Sequence, residues 1–412
     1  MKKSTARKYT DYFLLTFLIA VTGFPLFYSD VEFFIIGFIL SAAVFFRRNL
    51  GFDKLFLPVI VAFMAVEILQ SVFFSLFEIK TFLGTVMRLG FAYFTIRVVA
   101  GRFFEYYFNV IYFFAAVSLV FYIPSIIDIN FAQFFVDNVA PFFVSPFHTP
   151  GGFYEISPNI VLYTFEKSLF VSSRNSGPFW EPGAFSIFLV LAMMFRLVQK
   201  QDIVDRRIIL LAITVLTTTS TSGYFALFLL IISYYLFNRK IHVSKYLMVA
   251  LLAYGAGLAY MQLEFLGKKA ENDIVLASET TTSRFGSALA DLQDFSKNPI
   301  IGYGRGQNRY GGRSYSFFSK NLHRNNGITQ LLVTYGILIF VMYFYLYHLS
   351  FTVFCRQHGF NLKFATAMLF IVMIMGFSQA IFTKPFFFGL MFLSASTKNL
   401  SSKNDTVTLS VD

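Results

Sequence analysis

The sequence predicts an all-α protein, a polytopic membrane helix bundle of about twelve transmembrane helices with two long extracytoplasmic loops. Three observations predict it. Hydrophobic residues make up 56% of the 412 residues and charged residues only 14%, with 58 Phe; soluble domains carry roughly a quarter charged residues. Apolar runs of about 18 or more residues recur along the chain, each long enough to cross a bilayer. Lys and Arg gather in alternate short connections, as they do in cytoplasmic loops.

The predicted spans lie near 12–28, 31–46, 55–77, 81–99, 106–127, 183–198, 207–221, 223–237, 246–266, 326–350, 364–382 and 385–396. The start, with Lys2, Lys3, Arg7 and Lys8 before an apolar run, is shaped like a signal. No small-x-small cleavage site follows and a second span comes at once, so an uncleaved first helix is expected. The last two spans have a second reading as one helix broken around Lys384 and Pro385.

Alternate connections hold Arg47, Arg48 and Lys54; Arg97 and Arg102; Lys200, Arg206 and Arg207; Arg239, Lys240 and Lys245; Arg356 and Lys363; Lys398 and Lys403. The opposite short turns hold little more than Asp30, Glu78, Lys80 and Lys384. This asymmetry puts both termini in the cytoplasm and both long segments, 128–182 and 267–325, outside. A single integral membrane domain over 1–412 is expected. The net charge of +12 is then a topology signal, and no nucleic-acid partner is implied. One cysteine, Cys355, excludes an internal disulfide framework. The Ser/Asn/Asp-rich end after Lys398 is expected to be disordered.

The first outer loop, 128–182, is rich in Phe, Pro and Gly, a composition suited to a segment lying on the bilayer or packed over the bundle. Its end, 172–189, runs directly into an apolar helix. Pro182 stands at the first helical position, Glu181 sits at the positive end of the helix dipole, and Trp180, the only Trp, is a ring suited to a membrane–water boundary. One reading is a helix cap with an interfacial anchor. The other is a carboxylate and a guanidinium, Glu181 and Arg174, placed at the mouth of a bundle.

The second outer loop, 267–325, carries an expected amphipathic helix. Phe285, Ala288, Leu289, Leu292 and Phe295 recur at helical spacing behind a Thr/Ser cap, with the apolar face resting on the membrane or on the bundle. Asn298-Pro299 ends it, and a Gly-rich basic tract from Gly302 to Arg313 follows.

Arg174, Arg284, Arg305, Arg309, Arg313 and Arg324 all fall in the outer segments. A planar guanidinium binds phosphate oxygens in pairs, so this set suits a lipid pyrophosphate head group; scattered solvated charges are the other reading. The Gly302–Gly306 tract lacks a Gly-Lys-Ser/Thr ending, so it is no nucleotide loop, though its N–H groups are able to cradle a phosphate. His323 has the pKa range to take a proton from a sugar hydroxyl, or is an interfacial hydrogen-bonding residue. No metal-ligand spacing and no Gly-x-Ser-x-Gly elbow occur. Glu67 and Arg88 lie inside apolar spans, where charges pair as glue or line a path.

The stretch Ser173-Arg174-Asn175-Ser176-Gly177-Pro178-Phe179-Trp180-Glu181-Pro182-Gly183-Ala184-Phe185 resembles the Arg-x-x-Gly-x-Phe-x-Glu-Pro-Gly-x-Phe-Ala signature of Wzy-type polysaccharide polymerases. Ser283-Arg284, then Asn298-Pro299-Ile300-Ile301-Gly302-Tyr303-Gly304, then His323-Arg324-Asn325-Asn326 resembles the second outer loop of the O-antigen polymerase and ligase superfamily. His323 is followed here by Arg324, where ligases usually carry Asn directly.

The resemblance implies a metal-independent, inverting glycosyltransferase of GT-C-like architecture in the bacterial cytoplasmic (inner) membrane, with no cofactor. It would act at the outer face on undecaprenyl-pyrophosphate-linked repeats for O-antigen, capsule or exopolysaccharide, with membrane lipid, a chain-length regulator and a flippase as partners. Arg174, Arg284, Arg305, Arg324 and Trp180 would bind substrate. Glu181 or His323 would accept the acceptor proton, with Glu181 alternatively only orienting Arg174. The alternatives are an O-antigen ligase-type enzyme and a flippase or transporter of lipid-linked sugars.

Overall fold

The computed structural model describes residues 2–28, 31–144, 157–165, 174–238, 284–305 and 325–395. These form helices and their connections: α1 (Lys2–Gly23), α2 (Pro25–Tyr28), α3 (Val31–Arg47), α4 (Phe56–Phe73), α5 (Ile79–Val99), α6 (Phe103–Ile127), α7 (Ile129–Asn138), α8 (Pro182–Lys200), α9 (Arg206–Thr217), α10 (Thr221–Phe237), α11 (Arg284–Lys297), α12 (Gly327–Gln357), α13 (Lys363–Ser378) and α14 (Pro385–Leu390). Among the described residues the only β pairing is an isolated bridge between Asn159 and Thr164.

Among the described residues four stretches are long and apolar enough to cross a membrane: α4, the run Ile79–Ile127 through α5 and α6, α8 and α12; α10 and α13 are shorter apolar helices. Large apolar side chains stand exposed on these helices, among them Val72, Phe73, Val120 and Leu338. Contiguous exposure of that kind suits lipid and not water. The chain is therefore a helical protein embedded in a membrane. It divides into two compact units, Met1–Leu50 with Gly90–Leu230 and Ser396–Asp412, and Gly51–Leu89 with Ile231–Ala395.

The first unit is built on α8. Its apolar window is 89% buried, against 28–44% for the other three long stretches, so α8 is the shielded core helix and the others keep an outward apolar face. Phe104 and Tyr107 of α6 set their rings 5.0 and 5.7 Å from Phe195 of α8. The Tyr107 hydroxyl donates to the Phe188 carbonyl at 2.9 Å.

Charges of the predicted inner connections do structural work. Arg48 pairs with Asp11 at 2.7 Å and donates to Val98 O. Arg196 forks onto Asp205 through Nε and Nη2 at 2.9 and 2.8 Å, while Asp205 caps α9 by accepting from Arg207 N. Both arrangements satisfy charge with bidentate or backbone partners.

The 128–182 segment contains a helix that periodicity did not bring out. Asp128 caps α7, which packs on residues 157–165 in a small core of Ala132, Ala140, Ile160, Tyr163 and Phe165.

In the second unit α12 packs against α4, α11 and α13. α13 ends at Ser378 and α14 begins at Pro385, so the helix is interrupted at Lys384 where the proline lacks a donor. A phenol ladder meets the Phe382 carbonyl of this interruption and the Phe387 carbonyl of α14: Tyr343 donates to the first and Tyr347 to the second.

α12 is itself broken. Gly336 sits in it at φ 75° and ψ 178°, outside helical space. The 246–266 span, the inner charge cluster Arg239, Lys240 and Lys245, and the tail after Ala395 lie outside the described residues.

Candidate functional site

The Glu-Pro-Gly stretch is a turn anchored at almost every residue. Asn175 donates through its amide to Ser118 Oγ of α6 and Thr217 Oγ1 of α9 at 3.0 and 2.9 Å, and accepts from Gly177 N. Gly177 adopts φ +51°, and a Cβ there would sit 2.6 Å from the Phe185 ring; the position needs glycine on both counts. Phe179 is wholly buried and lies within 5.5 Å of the Phe24, Phe185 and Phe188 rings. Trp180 N donates to Gly23 O at 3.1 Å. Pro182 opens α8 as expected, and Glu181 is its N-cap residue without a side-chain capping bond.

Trp180 and Glu181 are half-buried, so the carboxylate is neither a conventional cap nor sealed in the core. Arg174 donates from Nε to Thr219 Oγ1 at 2.8 Å and from Nη2 to Thr219 O at 3.2 Å, with a weaker Nε bond to Thr218 O. Thr219 holds a left-handed φ of 44°, which is strained for a β-branched residue. Arg174 thus clasps the α9–α10 turn, a structural duty that the phosphate argument did not include.

The second unit carries the Pro-x-x-Gly-x-Gly turn, and the structure gives it a place that sequence reasoning missed. Residues 299–304 wedge into the break of α12. Tyr303 N and Gly304 N donate to Val333 O and Thr334 O, each at 2.8 Å, and Ile337 N donates to Pro299 O at 2.9 Å. These are the backbone groups that the break takes out of the helical ladder. Gln70 of α4 bridges the same junction, its amide donating to Ile301 O and Thr334 O. The fit leaves no room for side chains: a Cβ on Gly302 would lie 2.6 Å from Val333 O, and one on Gly336 would overlap Ile300 O.

The wedge delivers Arg305 to a buried polar cluster. Arg305 Nη1 reaches Thr85 Oγ1 at 3.5 Å, and Thr85 donates to Glu67 Oε1 at 2.6 Å. Glu67 is buried, with Arg88 three residues beyond Thr85 on α5. Tyr335, one residue before the break, is fully buried beside Thr85 and Arg305. Lys384, in the connection before α14, lies near Arg305. Burial pushes its ammonium down from the usual 10.5 to about 8, and the Arg305 charge adds to the shift.

α11 forms where expected, from Arg284 to Lys297, but its buried face is the small and polar one. Gly286, Ser287, Ala288, Ala290, Asp291 and Asp294 face inward, and Asp291 accepts from Thr329 Oγ1 at 2.6 Å. Phe285, Leu289 and Leu292 are exposed. Of the two seats the stripe allowed, the apolar residues thus turn away from the bundle, apart from an edge contact of Phe285 with Phe377 at 5.1 Å. Asn326 caps α12, accepting from Ile328 N and Thr329 N.

Of the predicted site residues, Arg174, Trp180 and Glu181 lie on the first turn, where Arg174 bonds to the α9–α10 turn and Trp180 to Gly23; Arg305 joins a polar cluster in the second unit, and Arg284 opens α11. His323, Arg324, Arg309 and Arg313 lie outside the described residues. Tyr335, Lys384, Thr85 and Gln70 were missed; the signal available was polar residues and Gly336 set inside apolar spans. Among the described residues no three His, Cys, Asp or Glu side chains converge. No protein-family model matches this chain, and no curated protein matches it.

Proposed function

We propose that the protein is a polysaccharide polymerase of the bacterial cytoplasmic membrane, joining undecaprenyl-pyrophosphate-linked repeats at the outer face. In this reading it is a twelve-span, GT-C-like bundle with both termini cytoplasmic. The observation that carries it is the delivery of Arg305, by a glycine turn wedged in a broken helix, into a buried cluster with a second cation. Such preorganised positive charge is what the departure of a pyrophosphate needs.

The acceptor hydroxyl oxygen attacks the anomeric carbon, the bond to the pyrophosphate oxygen breaks, and the anomeric centre inverts. Arg284, Arg305 and Arg324 are assigned to the pyrophosphate, and Arg174 holds its turn. Arg284 stands at the positive end of α11, where backbone N–H groups add to its pull on an anion. Glu181 or His323 takes the acceptor proton, and Trp180 offers a ring to sugar or lipid. No metal or cofactor is assigned.

A broken membrane helix is also a device of transporters, and the break in α12 favours a lipid-linked-sugar flippase as the second reading. Purified protein in liposomes with defined lipid-linked repeats separates the two. Longer chains are expected from the wild type and none from Arg305→Ala. Repeats that cross the bilayer without lengthening would instead establish the transporter.

A further inference from the structure

We propose that Glu67 and Thr85 are positioning residues for Arg305. The carboxylate inside α4 takes the proton of the Thr85 hydroxyl, and that hydroxyl then holds the guanidinium. What Arg305 does once held rests on the polymerase reading; how it is held rests on the second unit alone.

α4 meets the wedge twice. Phe63, Glu67 and Gln70 recur at helical spacing, share one face of α4 and are buried. Phe63 sets its ring 5.0 Å from that of Tyr335. Gln70 bonds the backbone at Ile301 O and Thr334 O. Glu67 acts on the side chain that follows the wedge, through Thr85 of α5. Gly304 N is fixed on Thr334 O at 2.8 Å, which sets where Arg305 leaves the backbone. That placement does not aim a long side chain, whose rotamer freedom is worth up to about 2 kcal/mol.

Thr85 supplies the aim. A hydroxyl has a single proton to give and further capacity only to accept. Glu67 Oε1 at 2.6 Å and Thr81 O at 3.2 Å compete for that proton. The carboxylate wins, because a hydrogen bond to an ionised acceptor is shorter and stronger. Thr85 is then left to accept from Arg305, whose Nη1 lies at 3.5 Å. Glu67 and Thr85 are both buried, so water does not compete for either bond, and Tyr335 stands beside the same hydroxyl and guanidinium. Arg305 itself is half-buried and stays within reach of a ligand. Its charge is therefore oriented during folding and not during the reaction.

Full-length protein in nanodiscs is assayed with defined lipid-linked repeats. In a second arm it is treated with phenylglyoxal, which modifies guanidinium groups, and the rate at each arginine is read by mass spectrometry. Thr85→Val keeps the shape and removes the hydroxyl. It should lower kcat about tenfold with KM little changed, the mark of an interaction made in the transition state. Arg305 should be modified severalfold faster, while the exposed Arg356 keeps its rate. Thr85→Ser should restore both readouts. Glu67→Leu should match Thr85→Val, and the double variant should be no worse than either, since the two act in series. If Glu67→Leu does not fold, the Val and Ser variants of Thr85 decide by themselves.

In a protein that lengthens repeats, either readout unchanged in Thr85→Val overturns the positioning role, as does a loss that Thr85→Ser fails to restore. A fall in thermal stability alone would make Glu67 and Thr85 intramembrane glue. The polymerase reading fails separately. Modification of Arg305 that depends on Thr85, in a protein unable to lengthen repeats, keeps the positioning and removes the polymerase. Normal chain extension with unchanged modification in Thr85→Val does the reverse.

Discussion

Gly336→Ala tests the wedge most directly. The residue sits at φ 75°, where an L side chain costs about 1–2 kcal/mol. Its new Cβ would overlap the Ile300 carbonyl, which is backbone and cannot rotate away. The 299–304 turn must therefore back out of α12. It would then give up the Tyr303–Val333, Gly304–Thr334 and Ile337–Pro299 bonds at 2.8, 2.8 and 2.9 Å. At about 1 kcal/mol net for each bond, the loss is about 3 kcal/mol, and strain brings the total to about 4–5 kcal/mol. Leu338→Ala, two residues on and exposed, is the control. Thermal unfolding of both purified variants in detergent should show a large drop for Gly336→Ala and little for Leu338→Ala. The same preparation should lose pyrophosphate binding, because Arg305 leaves its place with the turn. A Gly336→Ala protein as stable as Leu338→Ala, with intact anion binding, would refute the idea that the turn is a wedge.

Three further outcomes are expected. Arg174→Ala and Arg284→Ala should abolish chain extension while the protein reaches the membrane at normal levels; wild-type polymer lengths in both would count against any role in substrate handling. The depressed pKa of the buried Lys384 makes the protein gain stability between about pH 8 and 10.5, because the unfolded chain holds that proton longer. Thermal unfolding followed from about pH 7 to 10.5 checks it, and a flat profile across that window would mean that Lys384 is not buried as a cation. Leu289→Cys, labelled with a polarity-sensitive dye while Cys355 stays buried, should report an apolar setting in nanodiscs and be quenched by lipid nitroxides; emission typical of water would mean that the outward stripe of α11 does not lie in lipid.

Much of the fold was legible because apolar runs and punctuation are local signals. Pro182 at the start of α8 and the interruption at Pro385 could be read from single residues. The Glu-Pro-Gly turn was legible as a unit, but its anchoring was not. That Asn175 ties α6 to α9 depends on Ser118 and Thr217, which lie 57 and 42 residues away in the chain. α11 shows a different limit. Periodicity found the stripe of Phe285, Leu289 and Leu292, yet gave no means of telling lipid from protein as its neighbour. Ala288, Asp291 and Asp294 face inward because Thr329 offers Asp291 a partner and the small residues allow close approach.

The break in α12 joins these strands of reasoning. In a bilayer a helix cannot be opened without cost, since water is not there to satisfy the freed carbonyls. A Gly inside an apolar run therefore marks either close packing or a break that some other segment repairs. Here the repairing segment is the Pro299–Gly304 turn, and Gln70 of α4 locks it by bonding one carbonyl from each side, Ile301 O and Thr334 O. The repair requires glycine at 302 and 336 for steric reasons alone. Those glycines and the arginine next to the turn are thus linked: the backbone that seals the helix is the backbone that aims Arg305. Gln70→Leu should separate sealing from aiming, since it keeps the volume of the side chain and removes only the amide bridge. If the bridge positions Arg305, this variant lowers turnover of lipid-linked repeats more than it lowers thermal stability, and inorganic pyrophosphate binds it more weakly. A variant that loses stability with turnover and binding per folded molecule unchanged would reduce Gln70 to a structural staple.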